Sequence, residues 1–194
     1  SETGISIEDI DVVWGDTDLV PSGGGTMGSR SLQQGGVAVQ KVSIEIVDQA
    51  RKLAAQLLEA NESDIVLDKQ TGAFHVAGTP AISKSWSDVA KSADVKSGLT
   101  HEGIFVAGSA TFPFGSHVAI VEVDTETGMV KHRRHIACDD AGRVINPLIL
   151  DGQIHGGIAQ GTAQALLEEF RYDEDGNPIT TNFAEYTFIS AVEL

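Results

Sequence analysis

Few side chains in this sequence are both chemically capable and closely spaced. The densest group of them is a run of glycine and hydroxyl residues around one arginine. The segment Pro21-Ser22-Gly23-Gly24-Gly25-Thr26-Met27-Gly28-Ser29-Arg30-Ser31 contains almost no side chain large enough to join a core. Glycines let backbone amides approach an anion closely, and a following helix points its positive end at the same place. Thr26, Ser29 and Ser31 add hydroxyl donors, and Arg30 adds a planar fork that matches phosphate. Strand, glycine-rich loop and helix is the order of a nucleotide cradle, but the spelling is unusual. There is no Gly-Lys-Ser/Thr, and no GxGxxG that opens directly into a helix with an acidic residue on the next strand. Glycines alone would describe a flexible surface loop. One arginine and two serines immediately before a long helix favour an anion site.

Other candidates fare less well. His132, His135 and Cys138 resemble a metal cluster until strand periodicity is applied. On a regular strand His132 and Cys138 share a face and His135 lies on the other. The two that share a face stand about 20 Å apart, at a rise of ~3.3 Å per residue, and cannot hold one ion. They are therefore expected to be surface and core residues, and no metal ligand is assigned. Asp16/Asp18, Asp139/Asp140 and Asp173/Glu174/Asp175 lack the alternating oxygen pattern of a calcium loop, and turn chemistry explains all three. There is no GxSxG elbow and no HExxH helix. His155 has the chemistry of a base, but a histidine beside helix glycines is more often a packing or hydrogen-bonding residue. Phe112-Pro113-Phe114-Gly115-Ser116-His117 suits a pocket edge and a hydrophobic plug at a sheet end about equally.

These residues need elements to position them. Residues 10–14 read as a short strand before the glycine loop. A helix is expected over Gly35 to Ala60, with Val39, Val42, Ile46, Ala50, Leu53 and Leu57 as one apolar stripe. Lys41, Glu45, Asp48, Arg51, Lys52 and Glu59 face water in this scheme, and Asn61 is the stop. Two hairpins share one turn chemistry, Asp68 to Gly72 and Asp124 to Gly128. In each, Asp opens the turn and Gly takes the left-handed position. Ser85 to Ser92 is expected as a short helix with Trp86 and Val89 inward. Ala93 to His101 is a polar connector and the best internal boundary of what otherwise reads as one domain, residues 1–194. After a loop at Cys138–Pro147, a second long helix is expected from Ile149 to Phe170. It contains Gly152, Gly156, Gly157 and Gly161. A glycine inside a helix costs about 1 kcal/mol relative to Ala, so four of them imply close approach of another backbone or a ligand. A third turn follows at Tyr172–Gly176, then a strand-like Phe183–Ile189. The expected class is α+β, two long helices packed on mainly antiparallel β-hairpins.

Composition removes several function classes. The chain has 194 residues, 41% hydrophobic and 21% charged, which suits a packed core. Thirteen Lys and Arg against 28 Asp and Glu leave a formal charge of -15. That argues against nucleic-acid binding and against a polybasic membrane surface. No apolar run is long enough to span a bilayer, and no signal peptide is visible. Cys138 is the only cysteine, so neither an intrachain disulfide nor a cysteine-ligated cluster can form, and a reducing, cytoplasmic setting fits.

Taken in order, several motifs resemble one family. They are Gly15-Asp-Thr-Asp18, Gly25-Thr-Met-Gly-Ser-Arg-Ser31, Phe112-Pro-Phe-Gly115 leading to Val121-Glu-Val-Asp124, Asp139-Asp-Ala-Gly-Arg-Val-Ile-Asn-Pro147, Gly152-Gln-Ile-His-Gly-Gly157 and Thr180-Thr-Asn-Phe-Ala-Glu-Tyr186. The chain resembles the molybdopterin-binding large subunit of the molybdenum hydroxylases, which include xanthine dehydrogenase, aldehyde oxidoreductase and aerobic carbon monoxide dehydrogenase. The spelling is most like the carbon monoxide dehydrogenase branch, and the chain corresponds to a C-terminal-region fragment.

The resemblance implies molybdopterin cytosine dinucleotide with molybdenum as cofactor. It assigns Gly25, Thr26, Met27, Gly28, Ser29, Arg30, Ser31 and Gln153 to cofactor binding. It also implies hydroxylation of an aldehyde, N-heterocycle or similar substrate, or oxidation of carbon monoxide, with water as oxygen source. Electrons would leave through an FAD-binding medium subunit and a 2Fe-2S small subunit in a dimer of heterotrimers. The family's catalytic glutamate sits in a Gly-x-Gly-Glu motif that is expected beyond Leu194. No catalytic residue is therefore assigned, and the fragment alone is expected to be inactive. The rival reading is a non-catalytic, acidic nucleotide- or phosphate-binding module.

Overall fold

The computed structural model describes residues 2–20, 22–93 and 98–193. The chain divides into two compact units, Ser1–Ser109 and Ala110–Leu194. The boundary expected at Ala93–His101 includes residues 94–97, which lie outside the described residues.

The first unit is built on one long helix and one antiparallel sheet. Helix α1 spans Val37–Leu57. Strands β1 (Ile65–Asp68), β2 (Ala73–Val76) and β3 (Thr79–Ser85) pair in that order, all antiparallel. The first hairpin turns as its sequence requires. Asp68 accepts hydrogen bonds from the Gln70 amide at 2.9 Å and the Thr71 hydroxyl at 2.8 Å, and Gly72 sits at φ +66°. Those bonds, the Gln70 amide first, hold the Asp68 carboxyl below its ordinary range. Strand β3 is not evident in the sequence because Pro80 and two serines break its apolar alternation. It lies at the sheet edge, where a proline costs no ladder bond.

The core of this unit lies between α1 and the sheet. Ala50, Ala54, Phe74 and Val89 are fully buried, with Ala55 and Ile65 beside them. The buried face of α1 is turned from the expected stripe: Val47, Ala50, Ala54 and Ala55 are covered, while Val39 and Leu57 are exposed. Alanines let the helix axis come close enough for Phe74 to reach under it, so small residues, not the largest ones, mark the inner face. The stop is also earlier than Asn61. Glu59 takes the left-handed conformation (φ +50°), and the Ala60 amide bonds to the Ala55 carbonyl at 3.0 Å. This is a reverse turn that closes a helix, with Glu where Gly is usual.

Helix α2 (Trp86–Ser92) begins as expected. Ser85 and Asp88 form a reciprocal cap, in which the Asp88 amide donates to Ser85 Oγ and the Ser85 amide to Asp88 Oδ2. Val89 is fully buried, and Trp86 meets Phe74 edge-on with ring centroids 4.9 Å apart. Trp86 Nε1 donates to the Thr3 carbonyl at 2.9 Å, and Lys69 pairs with Glu2 at 2.8 Å. These two contacts tie the N-terminal segment to the start of α2 and to the first hairpin. Residues 10–14 form no strand, and Val12, Val13 and Trp14 are exposed.

In the second unit β4 (Phe114–Val123) and β5 (Val130–Asp140) form a long antiparallel hairpin. Asp124 accepts from the Glu126 and Thr127 amides, and Gly128 (φ +76°) completes the turn. The pairing is interrupted once. Ile120 faces Arg134 and Val121 faces His132, so Arg133 is an extra residue, a β-bulge. Beyond it the alternation of β5 is inverted. His132 and His135 therefore lie on one face, against the expectation that they oppose each other. Cys138, Asp139 and Asp140 belong to β5, not to the loop expected there.

Helix α3 runs Pro147–Leu166, starting earlier and ending earlier than expected. Asn146 Oδ1 accepts from the Ile149 amide at 3.2 Å, and Pro147 occupies the first helical position. Asp173 and Gly176 form the third turn, with Tyr172 bridging to Pro178. Phe183–Ile189 is not a strand. Asn182 Oδ1 accepts from the Ala184 and Glu185 amides, and these local bonds replace ladder bonds. Tyr186 donates to Glu168 at 2.8 Å, which raises the phenol's pKa above its ordinary value. The class is α+β. Among the described residues no helix is long and apolar enough to cross a membrane.

Phe74 carries the first unit. Phe74→Ala should lower unfolding free energy by about 3–5 kcal/mol, since it opens a cavity that alanines cannot refill. Urea unfolding followed at Trp86 checks this; a loss below about 1 kcal/mol would show that the core collapses around the gap.

Candidate functional site

The glycine loop is shaped by its arginine. Arg30 folds back along the loop, with Nη2 donating to the carbonyls of Gly24 and Gly25, both at 3.0 Å, and Nε to Gly25 at 3.3 Å. A guanidinium carries five N–H donors in a fixed fork, and these bonds leave those of Nη1 outside them. The expectation that the whole fork addresses phosphate is therefore corrected in part. One edge fastens the loop. Arg30 is also the only Lys or Arg among the first 40 residues.

The remaining loop residues complete a closed arc. Thr26 and Ser31 are hydrogen-bonded through their hydroxyls. Gly25 (φ +66°), Gly28 (φ +57°) and Ser29 (φ +54°) occupy the left-handed region. Glycine adopts it freely, whereas Ser29 holds it at a cost of about 1–2 kcal/mol. The Arg30 amide bonds to Met27 O at 3.4 Å and its carbonyl accepts from the Gln34 amide at 2.9 Å. The chain then enters a wide, π-helical turn at Leu32–Gly36 that merges into α1. Such turns are uncommon and recur at functional sites.

Gly24, Gly25, Arg30, Ser31, Gln34 and Gly35 line an open cavity of about 380 Å³. Three of its six walls are therefore backbone. A Cβ on Gly24 would stand 3.2 Å from Arg30 Nη2, which would crowd the guanidinium. Gly25, Arg30 and Ser31 are brought together here as expected. Met27 points to solvent, at 65% exposure. Gln34 and Gly35 were missed, because the sequence reading starts the helix at Gly35. The pair Gly35-Gly36 directly after two glutamines was the available signal. Gln153 lies on α3 in the other unit. Among the described residues, nothing outside the helix's own nearby backbone stands within 4 Å of where a Cβ would be on Gly152, Gly156, Gly157 or Gly161. The close backbone approach expected at these glycines is not made by the described chain.

The acidic groups do what turn chemistry predicts. Asp16 accepts from the Asp18 amide at 2.9 Å, and Asp140 from the Gly142 amide at 2.8 Å. Among the described residues no three His, Cys, Asp or Glu side chains are grouped so as to hold a metal ion.

Comparison with known proteins decides the family. Residues 1–194 match the profile of the molybdopterin cofactor-binding domain. The chain belongs to that family. It is 36% identical to the carbon monoxide dehydrogenase large chain of Afipia carboxidovorans, over all of this chain and 24% of that protein. It is 38% identical to the 6-hydroxypseudooxynicotine dehydrogenase complex subunit gamma of Paenarthrobacter nicotinovorans, over all of this chain and 25% of that one. The reconstituted CO dehydrogenase from Oligotropha carboxidovorans superposes with a TM-score of 0.84 at 35% identity, over 99% of this chain and 24% of that one. This molybdopterin cofactor-binding domain thus spans about a quarter of the length of the relatives it matches. Its relatives are dehydrogenases, and the matched structures include a Cu,Mo-CO dehydrogenase.

The loop's strain has a direct test. Ser29→Gly should leave thermal stability equal or slightly raised, whereas Gly28→Val, a branched residue forced to positive φ, should lower it. Melting temperatures of the two variants check this, and equal effects would contradict the left-handed assignment.

Proposed function

We propose that this domain supplies one wall of the cofactor site in a molybdenum oxidoreductase subunit. The observation that supports it most is the glycine-walled cavity at Gly24, Gly25, Arg30, Ser31, Gln34 and Gly35, placed where the chain enters α1. In this reading the cofactor is molybdopterin cytosine dinucleotide. Arg30 Nη1 and the Ser31 hydroxyl bind its phosphates, and the residues from Gly25 to Ser29 bring backbone close to it. Met27, exposed beside this arc, covers an apolar part of the cofactor. Gln153 offers its side-chain amide to the cofactor from α3.

When bound, the molybdenum group supplies two-electron oxidation with oxygen taken from water. The chain's own residues bind and orient. None of those assigned here is a base or a proton donor for the reaction. The glutamate that serves that purpose in the family is proposed to lie outside residues 1–194. The substrate is then an aldehyde, an N-heterocycle or carbon monoxide. The names of the relatives, which include carbon monoxide dehydrogenase and nicotine 6-hydroxylase large subunits, support that range. An FAD-binding medium subunit and a 2Fe-2S small subunit are the proposed electron acceptors, within a cytoplasmic dimer of heterotrimers.

Arg30→Ala in the intact enzyme should reduce molybdenum per subunit several-fold, because the loop loses both its fastening and its cation. Elemental analysis of purified protein reads this directly. Molybdenum content equal to wild type would sink the assignment. Retained binding of free cytidine diphosphate with no molybdenum in any preparation would instead favour a nucleotide-binding module.

A further inference from the structure

The cavity before α1 has one wall residue whose side chain the proposed function does not use. Gln34 lies one turn above Arg30, since its amide donates to the Arg30 carbonyl at 2.9 Å. Residues three and four apart on a helix are neighbours, so Ser31 and Arg30 both stand beside it. Gln34 is half-buried and lines the cavity together with them. The adjacent Gln33 has an interaction of its own, whereas the Gln34 side-chain amide has no hydrogen-bond partner among the described residues. At Gly35 nothing outside the helix's own nearby backbone stands within 4 Å of where a Cβ would be, so the space next to Gln34 is open.

The walls are also selective in charge. The chain carries 28 Asp and Glu against 13 Lys and Arg, yet Gly24, Gly25, Arg30, Ser31, Gln34 and Gly35 include no carboxylate. The one charged side chain among them is the Arg30 guanidinium, whose Nη1 lies outside the bonds to the loop carbonyls. The Ser31 hydroxyl is bonded to that of Thr26. A hydroxyl has one hydrogen and two lone pairs, so Ser31 can accept from Thr26 and keep its own hydrogen for a ligand. A side-chain amide adds two further N–H donors. Three donor side chains within one helical turn, one of them cationic, with no carboxylate beside them, match an oxyanion.

We propose that Gln34 is a phosphate-binding residue of this cavity, with Nε2 donating to the same phosphate group as Arg30 Nη1 and the Ser31 hydroxyl. The inference rests on the reading of the cavity as a cofactor site, and it adds a residue that lies outside the Gly25–Ser31 motif. A phosphate uses only the N–H side of the amide. A nucleobase edge would use its carbonyl as well, so the two partners are separable by substitution. Another donor of similar reach serves a phosphate equally and fails a base.

The test uses the intact enzyme, with molybdenum measured by elemental analysis and acid-released cytidine nucleotide measured per subunit. Gln34→Leu, similar in size but without a donor, should lower both several-fold. Gln34→Glu, the same shape with a negative charge, should lower them further. Gln34→Lys keeps a donor and should retain wild-type content. Gln56→Glu, near the other end of α1, makes the same charge change away from the cavity and should alter neither. Melting temperatures of the cofactor-free variants, produced in cells that cannot make molybdopterin, should match the wild type, because the Gln34 side chain has no bond within the described chain to lose. Wild-type cofactor content in Gln34→Leu and Gln34→Glu overturns the proposal. Loss in Gln34→Lys equal to that in Gln34→Leu overturns it in favour of a nucleobase contact. A fall in melting temperature of cofactor-free Gln34→Leu overturns it in favour of a structural role. Arg30→Ala in the same series separates the two levels. If it loses cofactor while the Gln34 variants keep theirs, only this inference falls; if it keeps cofactor, the reading of the cavity falls and this inference with it.

Discussion

The first unit depends on one aromatic ring beneath a helix of small residues. Phe74 is fully enclosed because α1 presents Ala50, Ala54 and Ala55 where larger side chains would hold the helix away. Burying a side chain of this size contributes on the order of 2–3 kcal/mol through apolar area alone. The ring is also the point where three elements meet. Trp86 at the start of α2 stacks edge-on against it, and through its indole N–H that same residue secures the N-terminal segment at Thr3. One contact thus sets the approach of α1 to the sheet, the seat of α2 and the path of residues 2–5. The second unit has no comparable centre. Ala163 and Thr180 are its buried residues among those described, and Phe112, Phe114, Leu148, Phe183 and Val192 are more than three-quarters exposed.

The candidate site is legible where backbone chemistry dictates it. Glycine spacing, the hydroxyls of Thr26 and Ser31 and the single cation at Arg30 drew attention to this loop, and the loop lines an open cavity. What Arg30 does there was not legible. A guanidinium before a helix suggests a free fork, and only coordinates show that Nε and Nη2 turn back to Gly24 and Gly25. Gln34 and Gly35 were lost for a related reason. A π-helical turn shifts the register at a helix start, and no composition rule announces it. At α3 the four glycines meet nothing beyond their own helix among the described residues.

Turns and caps were the most readable features of the fold. Asp68/Gly72, Asp124/Gly128 and Asp173/Gly176 all turn as their chemistry requires, and Ser85 caps α2. Errors arose where a local bond competes with a regular ladder, as at Asn182, or where one residue breaks a period. Arg133 is the clearest example. Alternation places His135 opposite His132 in direction, and a single unpaired residue reverses that for every position beyond it. Periodicity cannot detect its own interruption when the residues on both sides are polar.

The way Arg30 is held separates two properties that usually travel together. Its partners at Gly24 and Gly25 are carbonyl dipoles, not carboxylates. An ion–dipole bond at contact distance is short-ranged and gains nothing from a counter-charge, so dissolved salt has little to screen. Attraction of a distant phosphate to the same guanidinium falls off over a Debye length of about 8 Å at physiological ionic strength. Ionic strength should therefore tune how quickly an anion finds the loop while leaving the shape it finds unaltered.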